Sequence, residues 1–421
     1  MALTAAFDLE TNQFDVKNAY PHADLDEVIY TECPQGFEVP GSCLLLLKAL
    51  YGLRRAPRLW QKKLVTRLTE LGLRQVSVEP CFLLNNRIFL IFFSDDIITL
   101  FHKNYRKEFT EFKKLFMQSF DLKDLGELKW FLGVRILRDR PNGKLWLCQD
   151  SYIDKIANKF NLQTSKPPKT PLVVGILEAN EDEASPQDIH LFQQKVGSLL
   201  YATIITRPDA ARAANKLSEY LTNPSRMHLQ AVDRAIQYLY GTKFLAIEYS
   251  RDASTILCAS DAAFADNADR KSTEGFLFKL FGGPIDWRAC KQKTVTTSTT
   301  EAELLALSHT TKDYLWWGRL FEDIGLDLED DNDTPILCDN MQTISILQRE
   351  QPTLRTQLKH IDVHNHWLRQ EIQHRRINVR WIPTSKMPAD GFTKPLPIQR
   401  HKEFVDALNL VDIEIKVNTN V

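Results

Sequence analysis

Residues 89–101, FLIFFSDDIITLF, set the acid pair Asp95-Asp96 between two strongly β-prone apolar runs. Two carboxylates about 4 Å apart repel by about 4 kcal/mol at an effective dielectric of 20, so the fold must supply something that holds them. The surrounding pattern is strand, turn, strand, turn, strand: CFLL, Asn85-Asn86, IFLIFFS, the acid pair, IITLF. The pair therefore falls at a hairpin tip. Upstream, QFDVKNAY alternates as a short strand with Asp15 near its end. Turn aspartates are ordinarily solvated, but both flanks of Asp95-Asp96 are of buried type. Carboxylates clustered at a sheet end are most naturally held by a divalent cation. Mg²⁺ is typically bound by one or two carboxylates plus substrate phosphates. Two such ions clamp the attacking and leaving oxygens of a phosphoryl transfer.

Residues 48–74 hold eight Lys/Arg and one acidic residue. Within them PRLWQKKLVTRLTELG (57–72) predicts a helix, with Pro57 in its first turn, Gly72 at its end, and Trp60, Leu64, Leu68 and Leu71 on one face. A basic, aromatic-containing helix beside a metal centre is a fitting seat for a phosphate backbone. A second helix is expected over 105–120, with Phe109, Phe112 and Phe116 along one side, and a strand over 144–149. The character changes between 163 and 190, where TSKPPKTPL is extended and LEANEDEASPQD carries five acidic residues and no basic one. A domain boundary is expected there. Residues 191–249 read as helical. Strands follow at 255–260, 275–281 and 284–288, then a long helix from about 299, the strand PILCD, helices near 341–349 and 357–374, and the strand INVRWIP. Strands first, then alternation with helices, predict a second α/β domain.

The chain of 421 residues, 43% hydrophobic, is long enough for two or three domains. A formal net charge of −1 means that any nucleic-acid partner is met by a local patch. Cys33, Cys43, Cys81, Cys148, Cys258, Cys290 and Cys338 form no tight pair, which reads as reduced thiols and not as a disulfide framework. Asp8 and Glu10 interrupt what would be a signal-peptide core, and the longest apolar run, Ile88–Phe93, is far short of a membrane span. The expectation is a soluble intracellular protein of the cytoplasm, the nucleus or both, without a membrane partner. His360, His364 and His366 in HIDVHNH share a helix face in part, but no cysteine or glutamate stands at zinc-ligand spacing.

The residues then carry a resemblance. FDVKNAY, YGLRRAPRLW and FSDD resemble the first motif, the template–primer helix and the aromatic-x-Asp-Asp hairpin of the Pol polyproteins of copia-type LTR retrotransposons. DLGELKWFLGVRI, TRPDAARAANKLSEYL, AIQYLYGT, SDAAFADNADRKSTEGFLF, TTEAELLALS, LCDN, KHIDVHNHWLR and MPADGFTKPL continue it in order over nearly the whole chain. The resemblance implies α/β and α+β architecture. On this resemblance a partial reverse transcriptase palm (ferredoxin-like) with thumb is expected over 1–165, a linker and helical connection over 166–250, an RNase H-like domain with a mixed five-stranded sheet over 251–412, and a tail over 413–421. It implies that Asp15, Asp95 and Asp96 bind the polymerase metals, and that Tyr20 packs under the incoming sugar and opposes a 2′-hydroxyl. Arg54, Arg55 and Arg58 lie in the template–primer helix. In the C-terminal half it implies an RNase H centre of Asp261, Glu303, Asp339 and Asp390, with Asp390 opening the last helix. Glu303 is preferred to Glu301 because it directly precedes the apolar face LLAL. Each centre would hold two Mg²⁺ or Mn²⁺ ions. The implied partners are an RNA template, RNA–DNA hybrid, DNA and deoxynucleoside triphosphates.

The pattern also departs from the family. Only fourteen residues precede Asp15, leaving no room for the fingers region, which predicts weak or absent polymerisation. Phe93-Ser94 stands where the family commonly has Tyr-Val, and Ala263 where it often has Asp. No histidine lies between Trp381 and Asp390. The expected function is RNA-templated DNA synthesis with RNase H cleavage of the hybrid. The rival is a catalytically silent remnant that at most binds nucleic acid.

Overall fold

Alternation in ETNQFDV buries Asn12, Phe14 and Val16 on one side of strand β1 (Glu10–Val16). The computed structural model describes residues 1–175, 177–253, 256–326, 334–348 and 359–419, and these fall into two compact units. In the unit formed by 7–129 and 319–326, β1 joins β2 (Arg74–Gln75), β3 (Phe82–Leu84), β4 (Ile88–Phe93), β5 (Asp96–Phe101) and β6 (Leu122–Gly126). The order is β2-β3-β4-β5-β1-β6, with every pair antiparallel. Helices α1 (Ala56–Glu70) and α2 (Arg106–Ser119) are amphipathic as expected. Trp60, Leu64 and Leu68 from α1 and Phe109, Phe112 and Phe116 from α2 share one core with Phe14, Leu90 and Ile97.

The second unit comprises 1–6, 130–318 and 327–421. One of its sheets runs Leu410–Asp412, β10 (Leu245–Ser250), β9 (Lys144–Cys148), β8 (Val134–Asp139) and β7 (Trp130–Phe131), all antiparallel. A helical group, α3 (Asp150–Lys159), α4 (Pro186–Ile205), α5 (Ala211–Ser218) and α6 (Arg226–Gly241), packs around Ile153, Phe192, Leu199, Leu217 and Ile236. The expected five-stranded mixed sheet is formed by β11 (Ile256–Ala263), β12 (Thr273–Leu280), β13 (Gly283–Lys291), β14 (Pro335–Cys338) and β15 (Asn378–Trp381). Its order is β13-β12-β11-β14-β15; the first three strands are antiparallel and the last two join in parallel. Helices α7 (Thr299–Ile324), α8 (Met341–Gln348) and α9 (Lys359–Gln373) follow in the expected places, and Leu304, Leu307, Ile344 and Leu368 join its core.

Four expectations differ from what the fold shows. Residues 245–250 form a strand and not helix, because LAIEYS pairs on one side with β9 and on the other with Leu410–Asp412. That pairing also draws 130–165 into the unit that holds the C-terminal half, so the contacts divide the chain near 129 and not at 163–190. The proline-rich stretch is not a free linker. Leu172 is buried in the helical core, Thr170 accepts from Arg234, and Pro167 lies so near Gly241 that a Cβ there would meet it at 2.2 Å. Finally, Asp390 opens a single turn, α10 (Asp390–Thr393), with α11 (Ile398–Ala407) and a short C-terminal helix, Glu414–Asn418, still to follow.

A buried ion pair ties the helical group to the C-terminal helices. Arg207 donates to both carboxylate oxygens of Asp209 at 2.9 and 2.6 Å, and neither side chain is exposed. Tyr238 donates to Asp209 at 2.6 Å, and His401 of α11 lies 2.8 Å from the same hydroxyl. Burial alone would raise the Asp209 pKa, but Arg207 and Tyr238 hold it below the ordinary value. Removing one partner leaves the other charge buried and uncompensated, so Asp209→Ala should cost about 3–5 kcal/mol, read from urea unfolding.

Candidate active sites

The register Asp15↔Asp96 sets those two residues opposite each other at one end of β1 and β5, and Asp95 lies beside them in the turn. Ser94 makes that turn with φ +57°, in the left-handed region. The turn is held from outside: Trp60 Nε1 donates to the Ser94 carbonyl at 2.8 Å, and the Tyr20 hydroxyl lies 3.3 Å from Ser94 Oγ. All three aspartates are half-buried. Burial raises the Asp96 pKa first, the Asp95 charge adds to this, and Asp15 contributes further against a hydrogen bond from Gln13. Tyr20 stands beside this hairpin, its ring 4.4 Å from that of Tyr51.

The basic stretch is partly neutralised, which local composition did not disclose. Lys48 and Lys63 pair with Asp24, Arg55 with Asp26 and Glu27, Arg67 with Glu70, and Arg74 with Asp323. Arg54 and Arg58, both exposed, are without such partners among the described residues. Of the three arginines expected to meet phosphate, Arg55 is thus already engaged.

In the second unit β11 carries Asp261, α7 carries Glu303, and Asp339 directly follows β14. One ligand atom from each lies within 4.8 Å of the others. Asp261 and Glu303 are almost wholly buried, and Glu303 Oε2 has no hydrogen-bond partner. Burial, reinforced by Asp339 and Asp390 and opposed by Lys394 and Thr393, pushes the Asp261 pKa up to about 6. Glu303 is raised well above its ordinary value by burial, then by Asp261 and Asp339. Asp339 accepts from the Thr384 hydroxyl at 2.7 Å. Glu301 faces elsewhere and caps its own helix, accepting from the Thr297 N–H and hydroxyl at 2.7 Å each.

Asp390 is not among the three converging ligands. Its Oδ1 accepts from Lys394 Nζ at 2.6 Å, and Arg400 lies 3.6 Å from its other oxygen. The close seat of α10 on the sheet depends on two glycines. A Cβ on Gly275 would come within 2.5 Å of Phe392 Cβ, and one on Gly391 within 2.5 Å of the Phe404 ring. Thr393, Lys394 and Arg400 were missed from sequence; the i, i+3, i+4 spacing of Asp390, Thr393 and Lys394 was the signal for the first two. His364 lies 2.6 Å from Ser308 Oγ, no histidine joins a ligand cluster among the described residues, and the side chain of His360 lies outside them. No helix among the described residues is long and apolar enough to cross a membrane.

The two units thus present an antiparallel sheet with aspartates at its hairpin tip and a mixed sheet on which three carboxylates converge. Residues 1–174 match the family model "Reverse transcriptase (RNA-dependent DNA polymerase)". Over 94% of its length the chain is 36% identical to a retrovirus-related Pol polyprotein from transposon TNT 1-94 of Nicotiana tabacum. Over 70% of its length it is 31% identical to a transposon Ty5-1 protein of Saccharomyces cerevisiae, 98% of which is covered. The chain belongs to the Pol polyprotein family of copia-type LTR retrotransposons. It spans 30% of the length of the tobacco relative. Among solved structures, the prototype foamy virus protease–reverse transcriptase is 14% identical, with 91% of this chain and 45% of that chain covered and a TM-score of 0.23.

A raised carboxylate pKa disfavours the folded state once the group must ionise. Without metal, stability from Asp261 should fall as pH rises from about 4 to about 6, since the folded state holds the proton longer. Asp261→Asn should therefore stabilise the metal-free chain at pH 7.5, on the order of 2–3 kcal/mol, and give little at pH 4, read by thermal unfolding in chelator.

Proposed function

We propose that this chain carries an RNA-directed DNA polymerase core and an RNase H centre that cleaves the RNA strand of RNA–DNA hybrids. The observation that carries the nuclease half is the convergence of Asp261, Glu303 and Asp339 within 4.8 Å, with Glu303 Oε2 buried and unpartnered. A buried, unpartnered carboxylate oxygen beside two more carboxyl groups fits a hard divalent cation, whose ligands are oxygens. Asp261, Glu303 and Asp339 would hold Mg²⁺ or Mn²⁺, with Asp390 nearby; Asp15, Asp95 and Asp96 would do so in the polymerase half. Two such ions, when bound, supply the charge that neutralises the reacting phosphate oxygens and lowers the pKa of an attacking water or hydroxyl.

The chain's own residues do the rest. Strand ends and a long helix fix the carboxylates before substrate arrives, which is where such geometry is best held. Trp60 and Tyr20 brace the Ser94 turn, so Asp95 is presented by a clamped hairpin. Tyr20, beside Ser94 and Tyr51, would pack under the sugar of an incoming deoxynucleoside triphosphate and exclude a 2′-hydroxyl. Arg54 and Arg58 would take template or hybrid phosphates, while Arg55 holds the loop bearing Asp26 and Glu27. The substrates of this reading are an RNA template, DNA and their hybrid, met inside the cell, in the cytoplasm, the nucleus or both.

Hybrid cleavage in Mg²⁺ or Mn²⁺ should fall by about a hundredfold or more in Asp339→Asn, as expected on losing a metal ligand, and stay near the parent value in Glu301→Gln. Cleavage that survives Asp339→Asn would refute the nuclease assignment. Primer extension on RNA, where measurable, should vanish in Asp95→Asn.

A second expectation concerns grip. Binding of an RNA–DNA hybrid should weaken with salt, and Arg54→Ala with Arg58→Ala should lower the slope of log affinity against log salt by about one to two. Asp26→Ala should leave that slope unchanged. Equal slopes in all variants would mean that this face carries no phosphate contact.

A further inference from the structure

The three converging carboxylates do not include Asp390, which is paired instead with Lys394. Asp390, Thr393 and Lys394 stand at i, i+3 and i+4 and all reach the same place from α10. Thr393 Oγ1 donates to Asp261, and Lys394 Nζ lies 2.6 Å from Asp390 Oδ1 and 3.6 Å from Asp261 Oδ2. A positive charge thus already bridges Asp261 and Asp390, the pair of carboxylates that would hold a second divalent ion. Asp261 is 1% exposed at its side chain, whereas the Lys394 side chain is 40% exposed.

The backbone of Lys394 is extended, φ −130° and ψ 143°, as a residue before Pro395 must be. Movement of its charge therefore needs only rotation about the side chain. Arg400, 3.6 Å from the other Asp390 oxygen, holds that carboxylate in place when the ammonium leaves. Two cations cannot share the space between Asp261 and Asp390 without strong repulsion.

We propose that Lys394 is a resident counter-cation of the nuclease centre, which a second divalent ion must displace before Asp390 becomes a ligand. Asp261, Glu303 and Asp339 would hold a first ion with Lys394 still in place. Occupancy of the second position, and with it readiness for cleavage, is then set by competition between Lys394 and the divalent ion. This inference rests on reading the three carboxylates as a metal centre, and the experiment separates the two.

The full chain carrying Asp15→Asn, Asp95→Asn and Asp96→Asn, which removes all three N-terminal carboxylates, is titrated with Mn²⁺ while free Mn²⁺ is counted by electron paramagnetic resonance. One tight and one weaker ion are expected. Lys394→Gln should tighten the weaker ion about tenfold or more and leave the tight one within about threefold, since one competing charge is removed. Lys394→Arg should keep the parent pattern, and Asp390→Asn in the Lys394→Gln background should abolish the gain. An unchanged or weakened second ion in Lys394→Gln overturns the proposal while leaving the metal centre standing. Loss of cooperative unfolding in both Lys394→Gln and Lys394→Met overturns it too, because a displaceable cation cannot also be required by the fold. If Asp261→Asn does not remove the tight ion, the metal centre itself is refuted.

Discussion

Three carboxyl groups within 4.8 Å of one another, two of them buried, would repel by about 3–4 kcal/mol per ionised pair at an effective dielectric of 20. The C-terminal half of the chain is arranged around this unfavourable contact. Strand β11, helix α7 and the end of β14 each bring one carboxyl group to a common point, and only the tertiary fold makes them neighbours. The metal-free protein lessens the repulsion by raising the pKa values of Asp261 and Glu303, and by laying Thr393 and Lys394 against Asp261.

Close packing serves the same point. Gly275 and Gly391 let α10 approach the sheet and the Phe404 ring to a distance that any side chain would prevent. That approach delivers the turn bearing Asp390, Thr393 and Lys394. The N-terminal centre uses another device. There Trp60 and Tyr20 grip the Ser94 turn from outside, and the aspartates stay half-buried, so the repulsion is moderated by solvent instead of by a neighbouring ammonium. Among the described residues, the C-terminal centre has a counter-cation in contact with its carboxylates, Lys394, and the N-terminal one does not.

Much of this was legible in the chain because period and punctuation agreed. FLIFFSDDIITLF could only be two strands meeting at an acidic turn, and Trp60, Leu64 and Leu68 could only be a helix face. Glu303 was preferred to Glu301 on the resemblance, for its place before LLAL; Glu303 lies beside Asp261 and Asp339, while Glu301 accepts from Thr297. What failed was long-range. LAIEYS, following a helix directly, became a strand because β9 and Leu410–Asp412 were there to pair with it. The stretch TSKPPKTPL had the composition of a linker yet packs on the helical core, since proline-rich backbone serves equally as a strap. The basic run 48–74 looked unbalanced because its counter-charges, Asp24, Asp26, Glu27 and Asp323, lie outside it.

Both the nuclease reading and the role of Lys394 require Asp261, Glu303 and Asp339 to form a divalent-cation centre. A crystal of the chain grown with Mn²⁺ and measured at a wavelength where manganese scatters anomalously tests this most directly. An anomalous peak coordinated by oxygens of all three residues, with the Glu303 Oε2 atom now engaged, is the predicted result. Density showing the three carboxylates hydrogen-bonded to one another or to water, with manganese bound only elsewhere, would contradict it.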